Sequence, residues 1–348
     1  MQKQNMVVVA LDAMGGDNAP ASVVKGAVQA VCEKEQIKVI LTGSESRIKE
    51  ELSKYKYDNN RIEVVNASEF ISNDEHPVEA VRKKKDASVV KALAMLKSGE
   101  ADACISAGST GALLVGAQLI AGRIKGVERA PLAAVIPTVN GFSLLIDSGA
   151  NVDSRSSHLV QFAKMGSIYM EHAMGVKNPK VAIVNIGSEE EKGNALVKET
   201  YPLLKECKYI NFTGNIEARN IPYGEADVIV CEAFVGNVIL KLYEGLASAI
   251  VGKIKAGLTS TPISTIGAAL AKPALKKTLK DFDVKKYGGA PMLGLNGLVV
   301  KVHGNAHETE IKNAIIQCIA FKEENVNGRI KEVLAVDMTG KEKNVNEG

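Results

Sequence analysis

At 348 residues and 46% hydrophobic composition, the chain is long enough for a sizeable core, as one large α/β unit or two lobes, and too long for a small module. A formal net charge of +3 argues against a dedicated nucleic-acid binder, although it leaves room for local basic clusters. The five cysteines (Cys32, Cys104, Cys207, Cys231 and Cys318) are far apart, odd in number and never paired as CxxC, which speaks against a disulfide framework or structural zinc and for a reducing cytoplasm.

Residues 1–5 are polar and 6–11 are too short for a secretory core, so no signal peptide is expected. Residues 7–11 read as a continuous apolar strand, followed by Asp12-Ala13-Met14-Gly15-Gly16-Asp17 and a helix over about 20–33 with Pro20 near its first turn. Asp12, Gly15, Gly16 and Asp17 thus stand where open α/β sheets bind ligands, but the GxGxxG spacing of a dinucleotide site is missing. Asp17 reads equally well as a helix cap. Strand-like runs recur at 38–41 and 62–65. The cluster Arg82-Lys83-Lys84-Lys85 then follows on a helix expected over 78–96, where Arg82 suits a bidentate clamp on phosphate or on an acidic partner. Lys83 and Lys84 read as a solvated face.

The stretch 101–126 predicts a buried strand at 103–105, a loop of small residues at 106–111 and a helix over 112–124. Its helix N-terminus, with hydroxyls from Ser106, Ser109 and Thr110 and bare backbone at Gly108 and Gly111, suits a tetrahedral anion; a capped turn without a ligand is the alternative. Residues 103–122 are twenty uncharged residues in a row, the length of a membrane span, but Ser, Gly and Thr interrupt the run where a span is most apolar. Cys104 lies in the strand without an adjacent base and reads as a core thiol.

Asn140-Gly141 between apolar runs at 132–138 and 142–146 predicts a hairpin, so a mostly parallel sheet should be mixed. Further strands are expected at 181–186, 209–212, 228–231 and 298–302, separated mainly by helices. Their ends carry polar or glycine-rich turns: Asp147 to Asp153 with Asn151, Asn185 to Ser188, Glu232 to Asn237, and His303-Gly304-Asn305. In a doubly wound sheet such turns fall on one edge, and together they predict a site for phosphate or a phosphorylated ligand. Lys301 and His303 share a strand face by period-two alternation; Lys301 suits a phosphate contact, and His303 suits proton transfer or oxyanion donation, with a hydrogen-bonded structural histidine as the alternative. No His spacing suggests a metal.

Residues 236–286 predict a protruding helical hairpin, with helices over 237–258 and 263–279. From Lys241 to Lys286 nine lysines face three acids, a local net of +6, while 256–271 is uncharged. An apolar tip at Leu258, Ile263 and Ile266 on a basic stem suits a membrane surface; Leu246, Ile250, Ile254 and Leu258 suit a dimer interface instead, and both can hold. The polar residues 339–348 are expected to be a disordered tail after a single two-lobed domain over 1–338.

Taken together, Asp12 to Asp17, Ser106-Ala107-Gly108-Ser109-Thr110-Gly111-Ala112, Gly149-Ala150-Asn151-Val152-Asp153, Phe234-Val235-Gly236-Asn237-Val238 and Tyr287-Gly288-Gly289-Ala290-Pro291, running to His303-Gly304, resemble the bacterial phosphate acyltransferase family known as PlsX over roughly 7–334. The chain departs from that family's pattern at Ser109, at Asn18-Ala19 and at Ser148. The resemblance implies conversion of acyl-(acyl carrier protein) and inorganic phosphate to acyl phosphate and free carrier protein, supplying the donor for glycerol-3-phosphate acylation in phospholipid synthesis. It implies a three-layer α/β/α fold similar to phosphotransacetylase and to isocitrate or isopropylmalate dehydrogenases. It also implies a homodimer, ligand contacts at Asn237, Gly288 and Gly289, and chemistry without cofactor or metal. A peripheral place on the inner face of the membrane, with hand-off to a membrane glycerol-3-phosphate acyltransferase, goes with that reading. The alternatives are a short-chain acyl-CoA:phosphate transferase of the phosphotransacetylase kind and a non-catalytic membrane scaffold for lipid enzymes.

Overall fold

The computed structural model describes residues 6–282 and 284–345. Strands and helices alternate from the start: β1 (Val7–Asp12), α1 (Ala21–Glu33), β2 (Ile37–Gly43), α2 (Glu45–Leu52), β3 (Ile62–Asn66), α3 (Pro77–Lys83), α4 (Ser88–Ser98), β4 (Ala103–Ser106) and α5 (Thr110–Gly116). The second half follows with β5 (Ala133–Thr138), β6 (Gly141–Ile146), α6 (Ser156–Ile168), β7 (Lys180–Asn185), α7 (Ala195–Glu206), β8 (Asn211–Glu217), β9 (Val228–Val230), α8 (Ala233–Leu258), α9 (Pro262–Asp281), β10 (Ala290–Met292), β11 (Leu298–Lys301), α10 (Glu308–Glu323) and α11 (Val326–Val345).

Two sheets result. The first runs β10-β11-β4-β1-β2-β3 and is parallel apart from β10; the second runs β5-β6-β9-β7-β8 and is parallel apart from β5. Helices cover both faces of each, which is why β1 and β4 are almost wholly buried runs rather than alternating ones. One apolar core joins the inner faces of the two sheets through α1, α6 and α10, with α3, α4 and α5 closing the outer face of the first sheet and α8 the outer face of the second. The expected mixed α/β/α architecture is therefore what the chain adopts.

The hairpin expected around Asn140 forms with Thr138 opposite Gly141, the latter at φ +125, a conformation favouring glycine. Four expectations need correction. The single helix over 78–96 is two, α3 and α4, because Asp86 accepts hydrogen bonds from the Ser68 backbone and hydroxyl and pairs with Lys91, while Ser88 N–H donates to Glu69. The helix over 112–124 is the short α5 continued by a wider π turn over Ala117–Ala121, ending at Gly122 with φ +76. The strand placed at 209–212 runs instead over Asn211–Glu217, an edge strand with a register shift opposite Val181/Ala182, whose polar residues hid it. Finally, α11 continues to Val345 through most of the segment expected to be a tail; 346–348 lie outside the described residues.

The helical hairpin is present as α8 and α9. Thr261 turns the chain between them: its hydroxyl accepts from Ser264 N–H at 3.1 Å, and Pro262 takes the first helical position. With 26 residues, α8 is about 39 Å long at 1.5 Å per residue.

Candidate active site

The strand ends of both sheets open on a cleft of about 550 Å³. Gly108 and Thr110 of the β4–α5 loop, Lys301 and His303 at the end of β11, and Gly288 and Gly289 before β10 line it from the first sheet. From the second come Leu132 and Val135, the Ser148-Gly149 turn, and Asn237, Lys241 and Glu244 of α8. Seven residues expected in the site therefore share one cavity: Gly108, Thr110, Asn237, Gly288, Gly289, Lys301 and His303.

The floor is built from residues that never reach it. Asp12 ends β1 buried, its Oδ2 accepting from Ser106 Oγ at 2.6 Å, while Ser106 Oγ accepts from Gly108 N–H at 3.0 Å. A Cβ on Gly15 would lie 2.5 Å from that Asp12 oxygen and 2.6 Å from Gly108 N, so only glycine lets the two loops stack. Gly16, at φ +99, lies beside Gly304, whose carbonyl accepts from Asp17 N–H at 2.8 Å and ties the β1 loop to the β11 loop. Asp12, Gly15, Gly16 and Ser106 thus shape the β4–α5 loop from beneath. Burial pushes the Asp12 carboxyl above its ordinary range, against the hydrogen bonds from Ser106 and Ser88 and the positive charge of Lys301.

Lys301 is half-buried. Its ammonium donates to the Ala107 carbonyl at 3.3 Å and to the Val302 carbonyl, which aims it along the loop rim. Burial brings its pKa down to about 8, opposed by Asp12 and Asp17 and reinforced by the charge of Lys241. His303 is exposed, and its Nδ1 accepts from Asn305 N–H at 3.4 Å, so the neutral ring carries its proton on Nε2.

Other expected contacts lie elsewhere. Ser109 is the N-cap of α5, its hydroxyl accepting from Ala112 N–H at 3.4 Å, and Gly111 packs against Pro77. Asn151 is buried beneath the β6 turn, where its amide donates to Ala130 O at 3.0 Å and to Asp147 Oδ2 at 2.7 Å; its donors point inward and none remains for a ligand. Arg82 is exposed at the end of α3 and Asp17 is exposed beyond the β1 loop; neither lines the cleft, and Asp17 does not cap α1. Cys104 is fully buried and burial drives its thiol well up, which fits a core thiol. Among the described residues no cluster of three or more His, Cys, Asp or Glu side chains could hold a metal ion.

Two features went unread in the sequence. Asp147 is the hub of the second wall: fully buried, it accepts from the backbone N–H groups of Leu132, Gly149, Ala150 and Asn151 at 2.8–3.1 Å. An acid placed one residue before a Ser-Gly turn was the available signal. Composition places Lys241 and Glu244 in the basic stem, yet their spacing of four and seven from Asn237 puts all three on one helix face.

Comparison with known proteins gives a consistent picture. A family described as "Fatty acid synthesis protein" matches residues 7–329. A phosphate acyltransferase from Clostridium perfringens is 51% identical over 337 residues, covering 97% of this chain and 99% of that one, and a phosphate acyltransferase from Clostridium acetobutylicum is 48% identical over 328 residues, covering 94% and 99%. Among solved structures, a phosphotransacetylase from Staphylococcus aureus superposes with a TM-score of 0.60 at 18% identity over 91% of this chain and 94% of its own, a likeness of fold.

Proposed function

The chain belongs to this fatty acid synthesis family, whose curated relatives are phosphate acyltransferases, and so is an acyltransferase that uses phosphate; from that premise we propose that its donor is acyl-(acyl carrier protein) and that its acyl phosphate feeds glycerol-3-phosphate acylation in phospholipid synthesis. The observation that carries the reading is the convergence on one cleft of the Gly108–Thr110 loop, Lys301 and His303 from the first sheet with Asn237 from the second.

Phosphate rests against the loop and the Lys301 ammonium, both positive in potential. One of its oxygens attacks the thioester carbonyl; the new C–O bond forms, the C–S bond breaks, and the thiolate leaves. His303, with its proton on Nε2, neutralises the departing sulfur or donates to the tetrahedral oxyanion. The direct attack needs positioning rather than a protein nucleophile, in keeping with the buried Cys104. The apolar wall of Leu132, Val135 and Leu240 suits an acyl chain. Phosphate-dependent release of free carrier protein from an acylated carrier tests the proposal, with an acyl-CoA run in parallel; faster turnover of short-chain acyl-CoA would favour the phosphotransacetylase alternative.

The hairpin supports a homodimer and a place on the inner face of the cell membrane. Leu242, Leu246, Ile250 and Ile254 follow at intervals of four along the outer part of α8, all about half exposed or more, an apolar stripe that winds slowly round the helix and suits a second copy. By length and composition α8 is able to cross a membrane, yet its first turns are built into the body, with Gly236 against Asp147, Asn237 in the cleft and Tyr243 Oη donating to Pro137 O. The tip is then the part left for lipid: Ile263 is 83% exposed and Ile266 64%, with Leu258 half-buried beside them. Such a position would hand acyl phosphate to a membrane glycerol-3-phosphate acyltransferase.

A further inference from the structure

We propose that Lys241 of α8 is a second phosphate-binding cation, closing the anion site from the side opposite Lys301. The inference rests on the reading of the cleft as the phosphate site. Lys241 and Lys301 come from different layers of the molecule, yet both line the same cavity. Two ammonium groups converging on one cavity repel each other, and an anion between them turns that cost into attraction.

Neither cation is saturated. An ammonium carries three donors, and Lys301 directs two at the carbonyls of Ala107 and Val302. Lys241 meets Glu244 Oε2 at 3.3 Å, longer than the roughly 2.7–2.9 Å of a strong charge-assisted bond, and both partners are well exposed. Its helix position makes it a cleft residue: Asn237, Lys241 and Glu244 follow at four and seven, present one face and all line the cavity. Glu244 therefore competes with phosphate for Lys241.

The charged groups acting on Lys301 are Asp12 and Asp17 from the β1 loop and Lys241 from α8, with the titratable His303 just past β11, Glu244 of α8 and Glu310 of α10 lining the same cleft. Of these, only Lys241 is a lysine that depresses Lys301 from across the cavity. Removing it should move the Lys301 pKa upward in the free enzyme.

The test measures binding of inorganic phosphate by calorimetry, and steady-state turnover against phosphate and against acyl thioester, for the wild type, Lys241→Gln, Lys241→Arg and Glu244→Gln. The expected result is that Lys241→Gln weakens phosphate about tenfold, the scale of one lost charge-assisted bond, with the thioester KM unchanged, and that Lys241→Arg recovers most of the loss. Glu244→Gln should strengthen phosphate, the opposite sign, and the alkaline limb of kcat/KM should move to higher pH in Lys241→Gln. Phosphate binding equal to wild type in folded Lys241→Gln, or an effect confined to the thioester KM, overturns the assignment while leaving the cleft as the phosphate site. A wild type that binds no phosphate at all removes both.

Discussion

Gly236 and Asp147 meet so closely that a Cβ on Gly236 would lie 1.9 Å from the Asp147 carbonyl oxygen. That contact presses the start of α8 onto the turn that forms the second wall of the cleft, and it sets where Asn237 and Lys241 point. Gly236→Ala must push the helix outward. The overpacking should cost about 1–3 kcal/mol of stability, and turnover should fall far more than the melting temperature predicts. A thermal melt and an initial-rate assay on the same sample read both; a folded variant with wild-type turnover would show that the contact does not position the site.

The charge of Lys301 sets a pH limit. Its pKa, held at about 8 by burial against an ordinary 10.5, means that the ammonium is present at neutral pH and lost as pH rises through 8, so the phosphate-dependent rate should fall on that side. The stability sign is the reverse. Between about 8 and 10.5 the unfolded chain holds a proton that the folded one has released, so Lys301 adds to stability as pH climbs through that window. Lys301→Met should therefore abolish the phosphate-dependent rate while leaving neutral-pH stability equal or higher. A rate profile flat to pH 9 in the wild type would contradict the assignment.

Asn151→Ala should act on stability and leave substrate affinity alone. Its amide bonds Asp147 and Ala130 inside the turn, and deletion strips one donor from a buried carboxylate at a cost of about 1–3 kcal/mol. Chemical denaturation should show that loss, while the phosphate KM of the folded fraction should match the wild type.

The sheet and the cleft were legible because their signals are local: apolar runs for buried strands, Asn140-Gly141 for the hairpin, and small or polar residues at strand ends that the topology gathers on one edge. Alternation along the strand run puts Lys301 and His303 on one face, and both line the cleft. What the sequence hid depends on contacts between distant segments. Whether Asn151 faces a ligand or Asp147 depends on where Ala130 lies, and the break between α3 and α4 depends on Ser68 and Glu69 meeting the 86–88 turn. Lys241 was read by composition as part of a basic stem, although its spacing from Asn237 already placed it on the cleft face of α8.

Cys104→Ala should keep much of the turnover. The thiol is fully buried in β4, burial holds it protonated, and phosphate is the nucleophile of the proposed reaction. Mass spectrometry during turnover should find no acyl adduct on the wild-type chain; a trapped acyl-enzyme, or a stable variant without activity, would replace direct attack with a covalent route.

In the proposed dimer at the membrane, the hairpin would separate lipid contact from subunit contact along its length. Ile263 and Ile266 stand exposed at the α8–α9 turn, whereas Leu242 and Leu246 stand exposed down the stem, nearer the body. Lys253, Lys255 and Lys272 near the tip would each add about 1 kcal/mol of attraction to an anionic surface, screened over about 8 Å at physiological ionic strength. Leu258, Ile263 and Ile266 changed to Asn should abolish flotation with anionic vesicles and leave the dimer intact. Lysine substitutions should weaken flotation chiefly at low salt. Leu242 and Leu246 changed to Asp should do the opposite, giving a monomer in solution whose tip still finds lipid. A tip variant that floats as the wild type does removes the membrane assignment, and one that turns monomeric shows that these residues belong to the interface between copies.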